Sequence, residues 1–416
     1  MYLQRPARIV DRFCGSGKTT ALINELSPND HYLIIVPYLS EVERIITGAA
    51  AKGVTIKQPI TEAYYQSKRE NLIALLQSGH SICTTHAMYP RLYEAAQQGL
   101  FKDYIVIIDE VVETVKTLSH SPSKGAWQEI YLNGGYIAVD EKTGQVTPTD
   151  KWHKTHKEVA DVLNREIYEA ANVGTLYVHN HSTLVWAIPR QLLTAGRELT
   201  VYTYKSAGSM MLAYMRRVGI PFEIEFDDEL DKVWLKKAIK NIKVKQLKSL
   251  EDVSFSYRGQ LKMSDDDLRK VRNSLNNLAR RALKGVPRKD IIVTCAKSSW
   301  FEDGVSWDDL SGTGRRPKTT KFSKNSGLFA AHWLPNTTRG SNQWSHCSHV
   351  IYLYDQHPSP SVKAWLGMEK GWEDRYALAE AIQLIWRSRI RCEKPTTVYF
   401  GSKRMYKLFD NWLKSE

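Results

Sequence analysis

Residues 7–20 read Ala-Arg-Ile-Val-Asp-Arg-Phe-Cys-Gly-Ser-Gly-Lys-Thr-Thr. A short apolar strand at 7–10 runs into a glycine-rich turn, and a helix is predicted from Lys18 to about Leu26. Strand, glycine-rich turn and helix in that order are the context a phosphate-binding P-loop requires. Gly15 and Gly17, with Ser16 between them, let backbone N–H groups turn inward around phosphate oxygens, and the helix N-terminus adds a favourable dipole. Lys18 is expected at the β- and γ-phosphates and the Thr19 hydroxyl on Mg²⁺, with Thr20 closing the nucleotide-binding run. The longer pattern G-x-x-x-x-G-K-[ST] would place glycine at Arg12, so this is the shorter G-x-G-K-T form.

A second stretch gives that turn its meaning. Residues 105–110 read Ile-Val-Ile-Ile-Asp-Glu, an apolar strand delivering an acidic pair, which is the Walker B arrangement. Asp109 at the strand's carboxyl end suits Mg²⁺ held through water, and Glu110 suits polarising an attacking water. An acidic pair after a strand is by itself an ordinary turn; with a P-loop ahead of it, the two predict binding and hydrolysis of a nucleoside triphosphate, ATP, with Mg²⁺.

Around these stretches the first 110 residues alternate strand-like runs (32–36, 81–84, 104–108) with helical ones (39–46, 61–77). Such alternation implies right-handed crossovers and a parallel sheet covered on both faces. Residues 129–132, 136–140 and 145–147, separated by Asn133-Gly134-Gly135 and Lys142-Thr143-Gly144, read as hairpin strands, an insertion at about 121–152. A helix is predicted around 156–170, and strands at 183–187, 198–204, 291–295, 350–354 and 397–400. Residues 263–285 form a well-signed helix with Ser264 and Asp267 as capping box. The fold class is therefore α/β, with a first domain over 1–225, a second over 226–416 and the junction between acidic 222–230 and lysine-rich 232–248. Residues 312–324 read as a mobile basic loop.

Composition narrows the function. A hydrophobic fraction of 42% with 25% charged residues over 416 residues is that of a globular chain of about two domains. No apolar run nears the roughly 18–20 residues of a membrane helix, and none at the N-terminus has the length of a signal-peptide core. Five dispersed cysteines, Cys14, Cys83, Cys295, Cys347 and Cys392, without a C-x-x-C pair, fit a reducing cytoplasm rather than a disulfide scaffold. The net charge of +13 is lopsided: residues 1–200 carry 20 basic and 21 acidic side chains, residues 201–416 carry 38 and 24. That field favours a polyanionic partner and makes binding salt-dependent. His346-Cys347-Ser348-His349 offers three metal-ligating side chains in four residues. Adjacent strand positions point to opposite faces and no second cluster accompanies it, so the reading assigns no metal there.

The chain resembles the superfamily 2 helicases, most closely those carried by bacteriophages, over about residues 8–413. The resemblance rests on G-S-G-K-T at 15–19, I-I-D-E at 107–110, T-R-G-S-N at 338–342 and Q-L-I-W-R-S-R-I-R at 383–391. Weaker matches are V-P-Y-L-S-E at 36–41, T-T-H at 84–86 and Y-T-Y at 202–204. It implies two RecA-like lobes with ATP between them, and DNA over RNA as substrate, in the setting of replication or recombination proteins. It also implies that Gln383, Arg387 and Arg391 complete the catalytic site from the second lobe. At i, i+4 and i+8 these three would share one stripe of a single helix over 373–391. The family's second arginine falls on Ile390 here, which leaves Arg389 and Arg391 as alternatives, and Trp386 stands where glycine is usual. Gly340 would permit a tight turn beside the nucleotide. Pro37, Thr84, Thr85 and His86 in the first lobe, and Thr338, Arg339 and Asn342 in the second, would contact the sugar–phosphate backbone without reading sequence. Two rivals follow from other readings. A packaging-type ATPase with a nuclease half needs converging acids, for which Glu302, Asp303, Asp308 and Asp309 are available. A non-enzymatic basic clamp would leave the nucleotide residues without use.

Overall fold

The computed structural model describes residues 3–61, 67–118, 122–158, 164–180, 183–338, 340 and 342–415. Arg339, expected at the nucleic-acid backbone, and part of the helix expected over 61–77 lie outside the described residues.

The apolar runs become central strands. His31–Val36 is buried at every position after His31, as is Tyr104–Asp109 but for half-buried Ile105. Strands this apolar need cover on both faces, which crossover helices of a parallel sheet supply. Seven strands pair in the order Phe222–Phe226, Ala7–Asp11, Glu198–Thr203, Tyr104–Asp109, His31–Val36, Ser81–Thr85, Ile56–Lys57, all parallel. Five more form a second parallel sheet, ordered Ile242–Gln246, Thr396–Phe400, His349–Tyr352, Ile291–Thr294, His332–Trp333. Asp228–Asn241 is the helix that leads from one sheet to the other.

Several expectations are corrected. Thr183–Ala187 belongs to neither parallel sheet; it pairs antiparallel with Val115–Thr117 and Leu176–His179. Of the three expected hairpin strands, residues 129–132 lie in a helical turn, Trp127–Leu132, because Trp127 and Tyr131 must stack together inside a small aromatic core with Trp152. The other two do pair, Ile137–Val139 with Val146–Pro148. Ser264 caps the Asp265–Arg280 helix through the Asp267 N–H at 3.2 Å. The basic loop at 312–324 is tied down rather than mobile at its far end: Arg272 donates to the Lys321 carbonyl at 2.7 Å, the Ser323 hydroxyl to that of Trp300, and Phe322 is fully buried.

The lysine-rich stretch splits between the Asp228–Asn241 helix and the edge strand Ile242–Gln246. Charge on an edge strand discourages pairing with another chain. Lys237 is already engaged by Glu393 at 2.9 Å.

Candidate active site between the two sheets

Ala7–Asp11 ends beneath a turn in which Gly15 and Gly17 both take the left-handed conformation (φ 85° and 88°), and the Lys18–Glu25 helix begins at once. Lys18 is buried and donates to the Arg12 carbonyl at 3.1 Å, so its ammonium lies folded across the turn. Ser16 has a buried hydroxyl with no hydrogen-bond partner among the described residues. The Phe13 N–H donates to Asp231 Oδ1 at 2.8 Å, which anchors the turn to the helix joining the sheets. Thr20 is exposed and receives Arg44 at 3.3 Å.

Two strands over, Asp109 ends Tyr104–Asp109 and accepts the Thr19 hydroxyl at 3.0 Å. Burial, and then the charge of Glu110, raise its carboxyl to about 6 against the opposing pull of Lys18. A carboxylate so placed is short of positive charge, and with the Thr19 hydroxyl beside it the pair fits a divalent cation. Glu110 follows at φ 63°, a left-handed conformation that costs a non-glycine residue of order 1–3 kcal/mol. Between the two motif strands, Glu198–Thr203 carries the Y-T-Y stretch, with Tyr202 in register with both Val10 and Asp109. Asp11 fixes its exit by accepting the N–H groups of Lys205 (2.9 Å) and Ser206 (2.8 Å).

The opposite wall comes from the second sheet's helices, and not as one stripe. The Trp372–Ile385 helix stops at Ile385, the Ser388 hydroxyl takes the Ile385 carbonyl at 2.7 Å, and a separate turn spans Arg389–Cys392. Gln383 therefore sits in the helix, Arg387 just beyond its end and Arg391 in the turn. Arg387 is 2% exposed; its Nε donates to the Gln383 carbonyl at 3.0 Å and its Nη2 stands 4.0 Å from Glu110 Oε1. Arg391 has its aliphatic stem against Gly15, where a Cβ would meet its Cγ at 3.4 Å. Burial, then the charge of Arg387, lower the Arg391 pKa. Arg389 turns away to the Pro395 carbonyl, so Arg391 and not Arg389 lines the cavity beside Arg387.

Trp386 packs its ring 5.3 Å from Phe13 and 5.6 Å from Trp412, with Tyr204 4.9 Å from Phe13. The large side chain fills the space behind the phosphate turn. The result is a cleft of about 670 Å³ lined by Lys18, Thr19, Asp109 and Glu110 on one side and Arg387 and Arg391 on the other. Gly340 also reaches it, so close to Pro37 that a Cβ would lie 2.5 Å from the proline ring. Glu41 and Arg44, paired at 3.3 Å, line it too and were not singled out from sequence. The signal was present: Glu41 occupies a buried position on the apolar side of the Leu39–Ala50 helix, where a carboxylate needs a reason.

The nucleic-acid candidates scatter more. Pro37 and His86 line a second groove of about 960 Å³ between the sheets, with Tyr38, Glu113, Thr337 and Tyr376. His86 Nε2 lies 3.0 Å from the Asp109 carbonyl oxygen. Thr84 is buried within Ser81–Thr85, Thr85 is half-buried, and Thr338 spends its hydroxyl on the Pro335 carbonyl at 2.7 Å; Asn342 is exposed. Of the acids required by a nuclease half, Asp309 is bound to Lys297 at 2.6 Å and to Ser306. Among the described residues these acids do not converge on a common point.

With the geometry in view, comparison with known proteins places the fold. The chain is an α/β protein, and its two parallel sheets match the two RecA-like lobes of its structural neighbours. The solved structure titled XPD_APO matches with a TM-score of 0.53 at 14% identity, covering 98% of this chain and 95% of that one. S. cerevisiae Dbp5 bound to RNA and ADP BeF3 matches with a TM-score of 0.40 at 11% identity over 99% and 83% of the two chains. A family profile described as "YonV C-terminal Rossmann-like domain" matches residues 233–413. In sequence the whole chain is similar to the SPbeta prophage-derived uncharacterized protein YonV of Bacillus subtilis (strain 168), 25% identical over 430 residues that cover 98% of this chain and 99% of that protein. No helix among the described residues is long and apolar enough to cross a membrane.

Proposed function

We propose that the chain is an ATP-driven nucleic-acid translocase or helicase of the superfamily 2 type, working in the cytoplasm on DNA in replication, recombination or repair. The observation that carries this reading is the meeting of Lys18, Thr19, Asp109 and Glu110 with Arg387 and Arg391 around one cleft. Residues 1–225 and 226–416 are taken as the two lobes, with the aromatic-cored segment at about 121–152 set into the first.

In this mechanism the turn at Gly15–Ser16–Gly17 and the helix start hold the phosphates, and Lys18 leaves the Arg12 carbonyl for the β- and γ-phosphates. Thr19 and Asp109 would hold Mg²⁺, which would supply charge neutralisation for the phosphates. Glu110 orients the attacking water. Arg387, released from Glu110, meets the charge that develops on the γ-phosphate, with Gln383 fixing its guanidinium and Arg391 beside it. Exchanging Glu110 for phosphate as the partner of Arg387 alters the contact between lobes, and that change is what moves a bound strand. Pro37 and His86 in the shared groove, together with Thr85, Arg339 and Asn342, are the proposed contacts to the strand; the buried Thr84 and Thr338 would support their loops.

The deciding experiment measures ATP turnover with single-stranded DNA, duplex, branched DNA and RNA, followed by strand displacement on the best activator. Stimulation by DNA above RNA is expected. Turnover indifferent to every nucleic acid overturns the reading, and metal-dependent cutting of duplex would favour the packaging nuclease.

A further inference from the structure

We infer that His332, His346 and Cys347 form a binding site for zinc, or for a cation of the same borderline-soft class. One ligating atom from each of the three lies within 4.8 Å of the others, and Cys347 Sγ is 3.7 Å from His346 Nε2. Zinc bonds of about 2.0–2.3 Å at tetrahedral angles set ligand atoms about 3.3–3.8 Å apart. Closing the trio around an ion therefore takes ligand-atom shifts of about 1 Å. The sequence had grouped His346 and Cys347 with His349, but His349 stacks on Tyr399 and faces Ser348 Oγ at 2.8 Å. The third ligand comes instead from the start of the neighbouring region, His332–Trp333.

The surroundings suit a ligand set. His332 Nε2 is buried without a hydrogen-bond partner among the described residues, and its ring stands edge-on to His346 at 5.8 Å between centroids. Burial first, and then His346, hold His332 below the usual histidine range. Burial pushes the Cys347 thiol up to about 12. Its proton must therefore leave to solvent as the sulfur–metal bond forms, and His346 Nε2 exchanges the Lys289 carbonyl (3.0 Å) for the ion. Asp290 adds negative charge felt by His332 and Cys347, and a water completes four-coordination.

Position gives the site a consequence. His332 and His346 bracket the loop that brings Gly340 against Pro37, and the Cys347 carbonyl accepts the Arg389 N–H at 3.0 Å, where the turn bearing Arg391 begins. An ion here would clamp the base of two segments that feed the cleft, without touching the nucleotide.

The test uses the full chain, stripped with chelator and titrated with Co²⁺ alone. One equivalent should bind with a thiolate-to-cobalt band in the near ultraviolet and tetrahedral bands in the visible, and Zn²⁺ should displace it. Cys347→Ser should abolish the near-ultraviolet band, His346→Gln, at an exposed position, should weaken binding at least tenfold, and Cys392→Ser should change neither. Zn²⁺ should raise the melting temperature of the parent chain but not of His346→Gln. Absence of the near-ultraviolet band in the parent, its survival in Cys347→Ser, or equal Co²⁺ affinity in His346→Gln each overturns the site. None of these readouts depends on ATP turnover.

Discussion

The two walls of the cleft are built by opposite means. The first sheet supplies its half through backbone geometry: two left-handed glycines, a left-handed Glu110, a lysine folded onto the Arg12 and Phe13 carbonyls and a threonine bonded to Asp109. The second supplies long side chains that cross the gap from a helix end and a separate turn. Gripping a phosphate needs fixed N–H dipoles, and few backbone paths provide them, so that wall is written in a tight motif. Delivering positive charge from across a gap needs reach alone, which many local structures give.

Substitutions on either wall can break this contrast. Lys18→Ala should reduce turnover about a thousandfold or more with circular dichroism unchanged; a melted spectrum would make Lys18 a folding residue. Arg387→Ala should lose about a thousandfold in kcat while KM for ATP moves only a few-fold, and a near-parental rate would remove it from the chemistry. Trp386→Gly should cost about 3 kcal/mol by emptying the space between Phe13 and Trp412. An unchanged denaturation midpoint would show that the packing behind the phosphate turn is dispensable. Arg391→Ala should lower turnover about tenfold and Arg389→Ala less than twofold; the reverse order would mean the turn rearranges when nucleotide binds.

The smallest effect concerns Asp231, the carboxylate that accepts the Phe13 N–H and whose pKa burial raises to about 6. The folded chain thus holds a proton that the unfolded chain has already lost, between about 4 and 6, and stability from this group falls as pH rises through that window. Asp231→Asn keeps an acceptor without the charge. It should be more stable than the parent at pH 8, by roughly 1 kcal/mol after discounting for partial exposure, and no different at pH 4. Equal melting temperatures at both values would show that the buried charge is already compensated.

Legibility followed the same divide. The strands at 31–36 and 104–109 were readable because full burial removes alternation and leaves an unbroken apolar run. Phe222–Phe226 was not: a sheet edge lets every second residue stay charged, and F-E-I-E-F looks like an acidic linker. The helix expected over 373–391 was overrun because periodicity continues past Ile385 while Ser388, extended in backbone, ends it. Residues 129–132 misled for a different reason, since two aromatics four apart serve a helical turn as well as a strand. Glu41 and Arg44 went unnoticed because their use appears only when the Leu39–Ala50 helix is laid beside the phosphate turn.

Phe13 rests against Trp412, so residues about 400 positions apart in sequence meet behind one loop. Contacts spanning such sequence distance close late, because the intervening chain must first surrender its freedom. During synthesis the seven-stranded sheet can assemble once residue 226 has emerged, whereas the phosphate turn gains its backing only when the Lys403–Leu413 helix arrives. A nascent chain thus carries the motif before it has the aromatic support that shapes it.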